Sequence, residues 1–163
     1  FSKYFEKVQL IRKYFPLAAI TTDIIVGFPG ETEEEYAESE EFAKKVKFAN
    51  IHIFPYSIRT GTVAAKKKQV SLLTKELRAK DLQKTKYELI KKFEDKNINE
   101  IKEVLIEQVV NINNKEYYVG HTKNFIKTFI KKERECDLTG KIVNVKLKEY
   151  KNQMMIGEII WED

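Results

Sequence analysis

Cysteine occurs once in these 163 residues, at Cys136, and histidine twice, at His52 and His121. One cysteine excludes an internal disulfide. So few soft ligands also exclude a zinc site or metal cluster built wholly within this chain, because either needs several such groups converging. No apolar run approaches the roughly 18 residues that a membrane span requires. No signal-peptide pattern opens the chain, so the expected location is cytoplasmic. Internal repeats and low-complexity segments are lacking too, as is any nucleophile–base pair of the kind a small hydrolase needs.

What is there fits packed structure. Hydrophobic residues make up 42% and aromatics 12%, enough for a core, while 34% charged residues predict long solvated helix faces. The net charge of +5 is unevenly placed. Residues 66–94 carry ten Lys/Arg against four Asp/Glu, whereas residues 98–163 carry eleven of each. The basic excess in the middle reads either as a solvated helix face or as a surface for an RNA phosphate backbone.

Phe5, Val8, Ile11 and Phe15 recur at helical spacing and predict a helix over residues 3–15, ending near Pro16. The run AAITTDIIV, residues 18–26, predicts a parallel strand covered by helices on one face and closed into a barrel on the other. Gly27-Phe28-Pro29-Gly30 is a turn. Thr32 with Glu35 forms a capping box, and Glu33 and Glu34 favour the first turn of a helix running to about Lys47. A second strand is predicted over residues 48–54, giving a βαβ unit. After a loop, a helix over residues 71–95 is predicted on an apolar stripe of Leu73, Leu77, Leu82, Leu89 and Phe93. EDKNINE, residues 94–100, is the predicted boundary, dividing the chain into residues 1–96 and 97–163. Beyond it, five short strand-like runs separated by turn residues predict a small antiparallel all-β barrel of the oligonucleotide-binding type.

The end of the first strand is a natural binding position. Gly27 and Gly30 allow a ligand to approach the backbone, and free N–H groups at a helix start favour anions. A plain strand–helix connection is the alternative. Asp23, inside an apolar strand, is expected to need a partner in the protein or a ligand.

DIIVGFPGETEEEY followed by FANIHIFPYSIRTGTVAA resembles the radical S-adenosylmethionine methylthiotransferases that modify tRNA, and EYYVGHTKNFIKTFI with LTGKIVNVKL resembles their terminal TRAM domain. The phrase IHIFPYSIRTGT is similar to the branch acting on threonylcarbamoyl-adenosine (MtaB type). The resemblance spans essentially the whole chain. It implies an α/β fold, part of a (βα) radical barrel followed by the small TRAM barrel. The parent enzyme would use S-adenosylmethionine and two four-iron four-sulfur clusters, with a reductant protein, to add a methylthio group to C2 of the modified adenosine beside the tRNA anticodon. The family holds its clusters with a CxxxCxxC loop and a further cysteine triplet, and neither occurs here, so the chain reads as the carboxy-terminal part of such an enzyme, binding tRNA without catalysing. A free-standing RNA-binding module is the rival reading.

The resemblance places Asp23, Gly27, Pro29, Gly30, Glu31, Phe54 and Tyr56 at the cofactor pocket. Arg59 would meet the cofactor's carboxylate, an RNA phosphate, or an acidic partner in its own loop. RNA contact is expected at His121, Thr122, Lys123, Asn124, Phe125 and Lys127, where cations and an aromatic adjoin. Either Phe125 or Ile126 faces the barrel core; Tyr117, Tyr118 and Trp161 read as core. Lys131, Lys132 and Arg134 extend the basic run, and Cys136 reads as a thiol without a role. An incomplete barrel leaves strand edges uncovered. Residues before Ala65 are therefore expected to be disordered, paired between copies or held in a dimer.

Overall fold

A computed structural model describes residues 2–134 and 136–161. Phe1, Glu135, Glu162 and Asp163, which include the outer ends of both predicted domains, lie outside the described residues. The chain divides into two compact units, Phe1–Ile90 and Lys91–Asp163. No described helix is long and apolar enough to cross a membrane.

The first unit runs α1 (Ser2–Tyr14), β1 (Thr21–Val26), α2 (Glu33–Val46), β2 (Asn50–Pro55) and most of α3 (Leu72–Asp95). β1 and β2 pair in parallel, with Asp23 opposite His52 and Ile25 opposite Phe54. One face of this two-stranded sheet is packed: Ile51 joins Val8 of α1, Ala43 and Val46 of α2, Phe48 and Leu89 of α3 in one core cluster. Val26, Tyr36 and Leu82 form a second.

Three expectations change here. The first strand is covered on one face only: Thr21, Asp23 and Ile25 are exposed, so burial alternates along β1 and the face expected to close into a barrel lies open in this unit. Asp23 on that face is solvated, which removes the need for a buried partner. Residues 2–65 are not disordered but fold into four elements and a 3-10 turn at Ala64–Lys66. The buried face of α3 is also different. It is Lys75, Arg78, Leu82, Thr85 and Leu89, at steps of three and four, while Leu73 and Leu77 are 66% and 58% exposed.

The second unit holds β3 (Ile101–Ile112), β4 (Lys115–Thr122), β5 (Lys127–Lys131), β6 (Ile142–Lys151) and β7 (Met154–Ile159). They close into a barrel in the order β3-β4-β5-β7-β6. The expected wholly antiparallel barrel is corrected at one seam, where β5 pairs with β7 in parallel. A closed ring of five strands cannot alternate direction throughout, because five is odd, so one parallel seam is unavoidable. Val104, Ile106, Tyr118, Ile126, Ile130, Leu138, Val145, Leu147 and Met155 fill the interior. Tyr118 is core as expected, whereas Trp161 is 41% exposed, with the Arg134 guanidinium 4.0 Å from its ring centre.

Candidate functional sites

In the first unit, the turn after β1 is built by Gly27 and Gly30, both at positive φ (70° and 91°). A side chain would be strained at either position. Gly30 opens onto free space, whereas a Cβ on Gly27 would lie 2.4 Å from Lys75 Cγ. Thr32 caps α2 as predicted: its hydroxyl accepts from Glu35 N–H at 3.2 Å, and Glu35 Oε2 accepts from Thr32 N–H at 2.9 Å.

Those bonds alter the chemistry expected of the turn. Glu31 Oε2 accepts the Gly27 N–H at 2.6 Å and also binds Arg78 Nη1 at 2.6 Å. Arg78 Nη2 reaches Glu33 at 2.9 Å. The amides of Gly27, Thr32 and Glu35 are thus taken by the protein's own groups, so they are not the free donors of an anion site. Glu31 is a brace for the turn, its carboxylate engaged on both sides.

What the turn leaves accessible is aromatic and apolar. Phe28 is 45% exposed and meets the Tyr56 ring edge-on at 5.2 Å between centroids. Tyr56 continues the β2 ladder through its N–H to Val26 O at 2.9 Å, and its hydroxyl is buried without a hydrogen-bond partner among the described residues. Ile25 and Phe54, 52% and 50% exposed, lie side by side on the open sheet face beside Asp23 and His52. Pro29 is buried in the turn. Arg59 is exposed in the loop after β2; its carbonyl accepts from the Thr62 hydroxyl at 2.8 Å, and among the described residues its side chain forms no salt bridge.

Around the β4–β5 turn of the second unit, the six residues expected to meet RNA separate into two groups. Thr122, 4% exposed, donates its hydroxyl to Asn124 Oδ1 at 2.7 Å and accepts from Ile126 N–H at 3.0 Å. Asn124 Nδ2 donates to Asn97 Oδ1 at 3.1 Å, and the fully buried Asn97 donates to Phe93 O at 2.9 Å. Thr122 and Asn124 therefore shape the turn and tie it to the end of α3. The other four line the surface. Phe125, at positive φ (61°), is 81% exposed while Ile126 is fully buried, which settles which of the two faces the core. His121 Nδ1 lies 2.9 Å from Glu107, Lys123 pairs with Glu103, and Lys127 Nζ sits 5.5 Å from the Phe129 ring centre.

Strand register shows a surface row that the sequence did not. Ile142, Leu105, His121 and Lys127 stand opposite one another across β6, β3, β4 and β5. Ile142 and Leu105 are 62% and 43% exposed. The row is mixed in chemistry: apolar at one end, imidazole in the middle, cation at the other. Lys131 and Lys132 of the expected basic run are paired with Glu133 and Glu116.

Sequence reasoning missed Lys75, Arg78 and Asn97. Each is polar and buried, so a search for apolar period passes over it. The readable signal for the first two was their phase with Leu82 and Leu89.

No protein-family model matches the chain. It is 40% identical over 144 residues, 87% of its length, to the threonylcarbamoyladenosine tRNA methylthiotransferase MtaB of Bacillus subtilis. It is 39% identical over 159 residues, 96% of its length, to a tRNA-2-methylthio-N(6)-dimethylallyladenosine synthase of Acetivibrio thermocellus, and 35% identical over 160 residues to that of Syntrophomonas wolfei. These alignments cover 32%, 32% and 35% of the three relatives, so the chain spans about a third of their length. Over that third, running through both of its units, the chain is homologous to the tRNA methylthiotransferases and matches a fragment of that family.

Proposed function

We propose that the chain is the carboxy-terminal third of a radical S-adenosylmethionine methylthiotransferase acting on threonylcarbamoyl-adenosine in tRNA. In this reading the first unit supplies part of a (βα) barrel and of the cofactor pocket, and the second is a TRAM domain that holds the tRNA near its anticodon. The observation that carries the reading is the identity of 35–40% that runs through both units in one alignment.

The open face of the first unit suits that cofactor. Gly30 leaves the backbone approachable, Phe28, Tyr56 and Phe54 offer ring faces or edges to an adenine, and the Tyr56 hydroxyl is an unmatched polar atom. Asp23 adds a carboxylate beside them, suited to a ligand's ammonium or sulfonium charge. When bound, S-adenosylmethionine supplies the radical and the methyl group; these residues bind and orient it. The iron–sulfur clusters do not fit the residues present. The chain has one thiol, Cys136, and among the described residues no three His, Cys, Asp or Glu side chains converge as a metal site. The cluster ligands and the reductant's docking face therefore belong to the remainder of the parent enzyme, which works in the cytoplasm, and this chain alone does not turn over.

On the second unit, RNA contact is assigned to His121, Lys123, Phe125 and Lys127, with Leu105 and Ile142 adding apolar area. Phe125 offers an exposed ring on which an unpaired base can stack. The free-standing RNA-binding module is the second reading, favoured by one observation: the barrel closes on itself without the first unit.

Two measurements test these readings. Fluorescence-anisotropy titration of tRNA at low salt should show binding by the 163-residue chain, with Phe125→Ala weakening it by about 1–3 kcal/mol. No binding at low salt overturns the RNA assignment. Nucleoside analysis of tRNA from a strain lacking the full-length gene should show loss of the methylthio group from threonylcarbamoyl-adenosine. Loss from isopentenyl-adenosine instead overturns the substrate assignment, and no loss from either leaves the binding module.

A further inference from the structure

α3 reads in sequence as the basic, solvated part of the chain, yet two of its cations are turned inward. Lys75 and Arg78 are only 7% and 6% exposed. Burying a cation is costly unless its partners are well placed, so where these two point is informative. Arg78 meets α2 through Glu33 and Tyr36, and neither cation stops there. Both are directed at the chain segments that leave the sheet at the C-terminal ends of β1 and β2.

Arg78 holds the first exit. Its guanidinium bonds Glu31 Oε2 at 2.6 Å, Glu31 O at 3.3 Å and Glu33 Oε2 at 2.9 Å. The same Glu31 oxygen takes the Gly27 N–H, so the cation and the turn amide share one acceptor. Burial alone would lower the Arg78 pKa, but the hydrogen bonds to Glu33 and Glu31 outweigh it and raise the value overall. Tyr36 closes the arrangement from α2, donating to Arg78 O at 3.0 Å while its ring lies 5.3 Å from the guanidinium.

Lys75 holds the second exit. Its Nζ donates to Tyr56 O at 3.1 Å and sits 5.1 Å from the Tyr56 ring centre. Its stem lies against Gly27 so closely that no side chain fits there. One helical turn of α3 thus fixes the backbone of Gly27, the carboxylate of Glu31 and the ring of Tyr56.

We propose that Lys75 and Arg78 are positioning residues for the cofactor pocket: they set the Gly27–Glu31 turn and the Tyr56 ring at the spacing that S-adenosylmethionine needs, without touching it. This rests on the cofactor reading above. It gives α3 a part in cofactor affinity, beyond joining two units.

The test has two arms. In the 163-residue chain, Arg78→Met should speed hydrogen exchange of the Gly27 amide about tenfold or more relative to the Ala49 amide, which bonds Ile20 O at 2.7 Å elsewhere in the unit. Should Ala49 loosen equally, Glu31→Gln, which keeps the volume and removes the shared charge, decides by the same ratio. Unchanged Gly27 exchange in the deciding variant overturns the proposal. In the full-length enzyme, equilibrium dialysis with S-adenosylmethionine should give about tenfold weaker binding for Lys75→Met and Arg78→Met, partial recovery in Arg78→Lys, and a KM effect exceeding that on kcat. Wild-type affinity in both Met variants also overturns it. Failure of the wild-type enzyme to bind the cofactor, with Gly27 still loosened by the variant, overturns the cofactor reading instead and leaves the bracing of the turn intact.

Discussion

Glu94 is 8% exposed, and one of its carboxylate oxygens has no hydrogen-bond partner among the described residues. Burial, and then the neighbouring charge of Asp95, pushes its pKa up from 4.5 to about 7. The folded chain therefore holds this proton more tightly than the unfolded chain does. The associated stability is fully present below the unfolded value and is lost as pH rises through about 7. The difference is on the order of 3 kcal/mol. Urea unfolding followed by the single tryptophan, Trp161, should give a lower midpoint at pH 8 than at pH 5, and Glu94→Gln should flatten that slope. Equal slopes in both proteins would reject the assignment. Gly120 makes a different demand. It sits opposite Ile106, next to the register shift in β3, and a Cβ there would lie 1.9 Å from Leu105 O. Backbone cannot move aside as a side-chain tip can. Gly120→Ala should cost about 3 kcal/mol or more, read from the same fluorescence transition; a loss below 1 kcal/mol would mean that the barrel yields at this seam.

At the scale of elements, local signals were legible where they are written in local chemistry. Thr32 and Glu35 announce the start of α2, and both reciprocal bonds of the box are formed. Thr32→Ala should accordingly lower stability by about 1 kcal/mol, seen as a shifted urea midpoint of the helical circular-dichroism signal with an unchanged slope. A midpoint within error of wild type would place the helix start under tertiary control. The five β runs of the second unit were legible for a similar reason, since alternation and Asn or Gly turns recur along it. α3 was legible as a helix but not in its orientation. Leu73 and Leu77 suggested one face, whereas the buried stripe passes through Lys75, Arg78 and Thr85. Those side chains have partners on other elements: Glu31 and Glu33 for Arg78, Tyr56 for Lys75, and Glu40 for Thr85. A one-dimensional reading prices a charge as solvated because it cannot see such partners. The partners inside the Gly27–Glu31 turn were hidden in the same way. The Gly27–Glu31 turn was found, but the bond from Glu31 back to Gly27, which takes that amide, became visible only with Arg78 in place.

For the whole molecule, the two units differ in how complete they are. The second closes its strand edges within one ring, and its core draws on residues of all five strands together with Ile126 and Leu138 from the connections between them. The first holds a two-stranded parallel sheet whose outer edges have no strand partner among the described residues, and Ile25 and Phe54 are half exposed on its open face. Leu72, Leu73 and Leu77 add exposed apolar area on α3. Uncovered edges and apolar faces template association, and two strands alone bring little independent stability. Residues 91–163 expressed alone should therefore give a monomer with one sharp, reversible unfolding transition. Residues 1–90 expressed alone should self-associate with rising concentration in sedimentation velocity, and charged substitutions at Ile25 and Phe54 should suppress that association. A first unit that stays monomeric at high concentration would mean that its helices already protect the sheet. A second unit that fails to fold alone would mean that barrel closure needs more of α3 than residues 91–95, although the Asn97–Asn124 and Asn97–Phe93 bonds are both retained in that fragment.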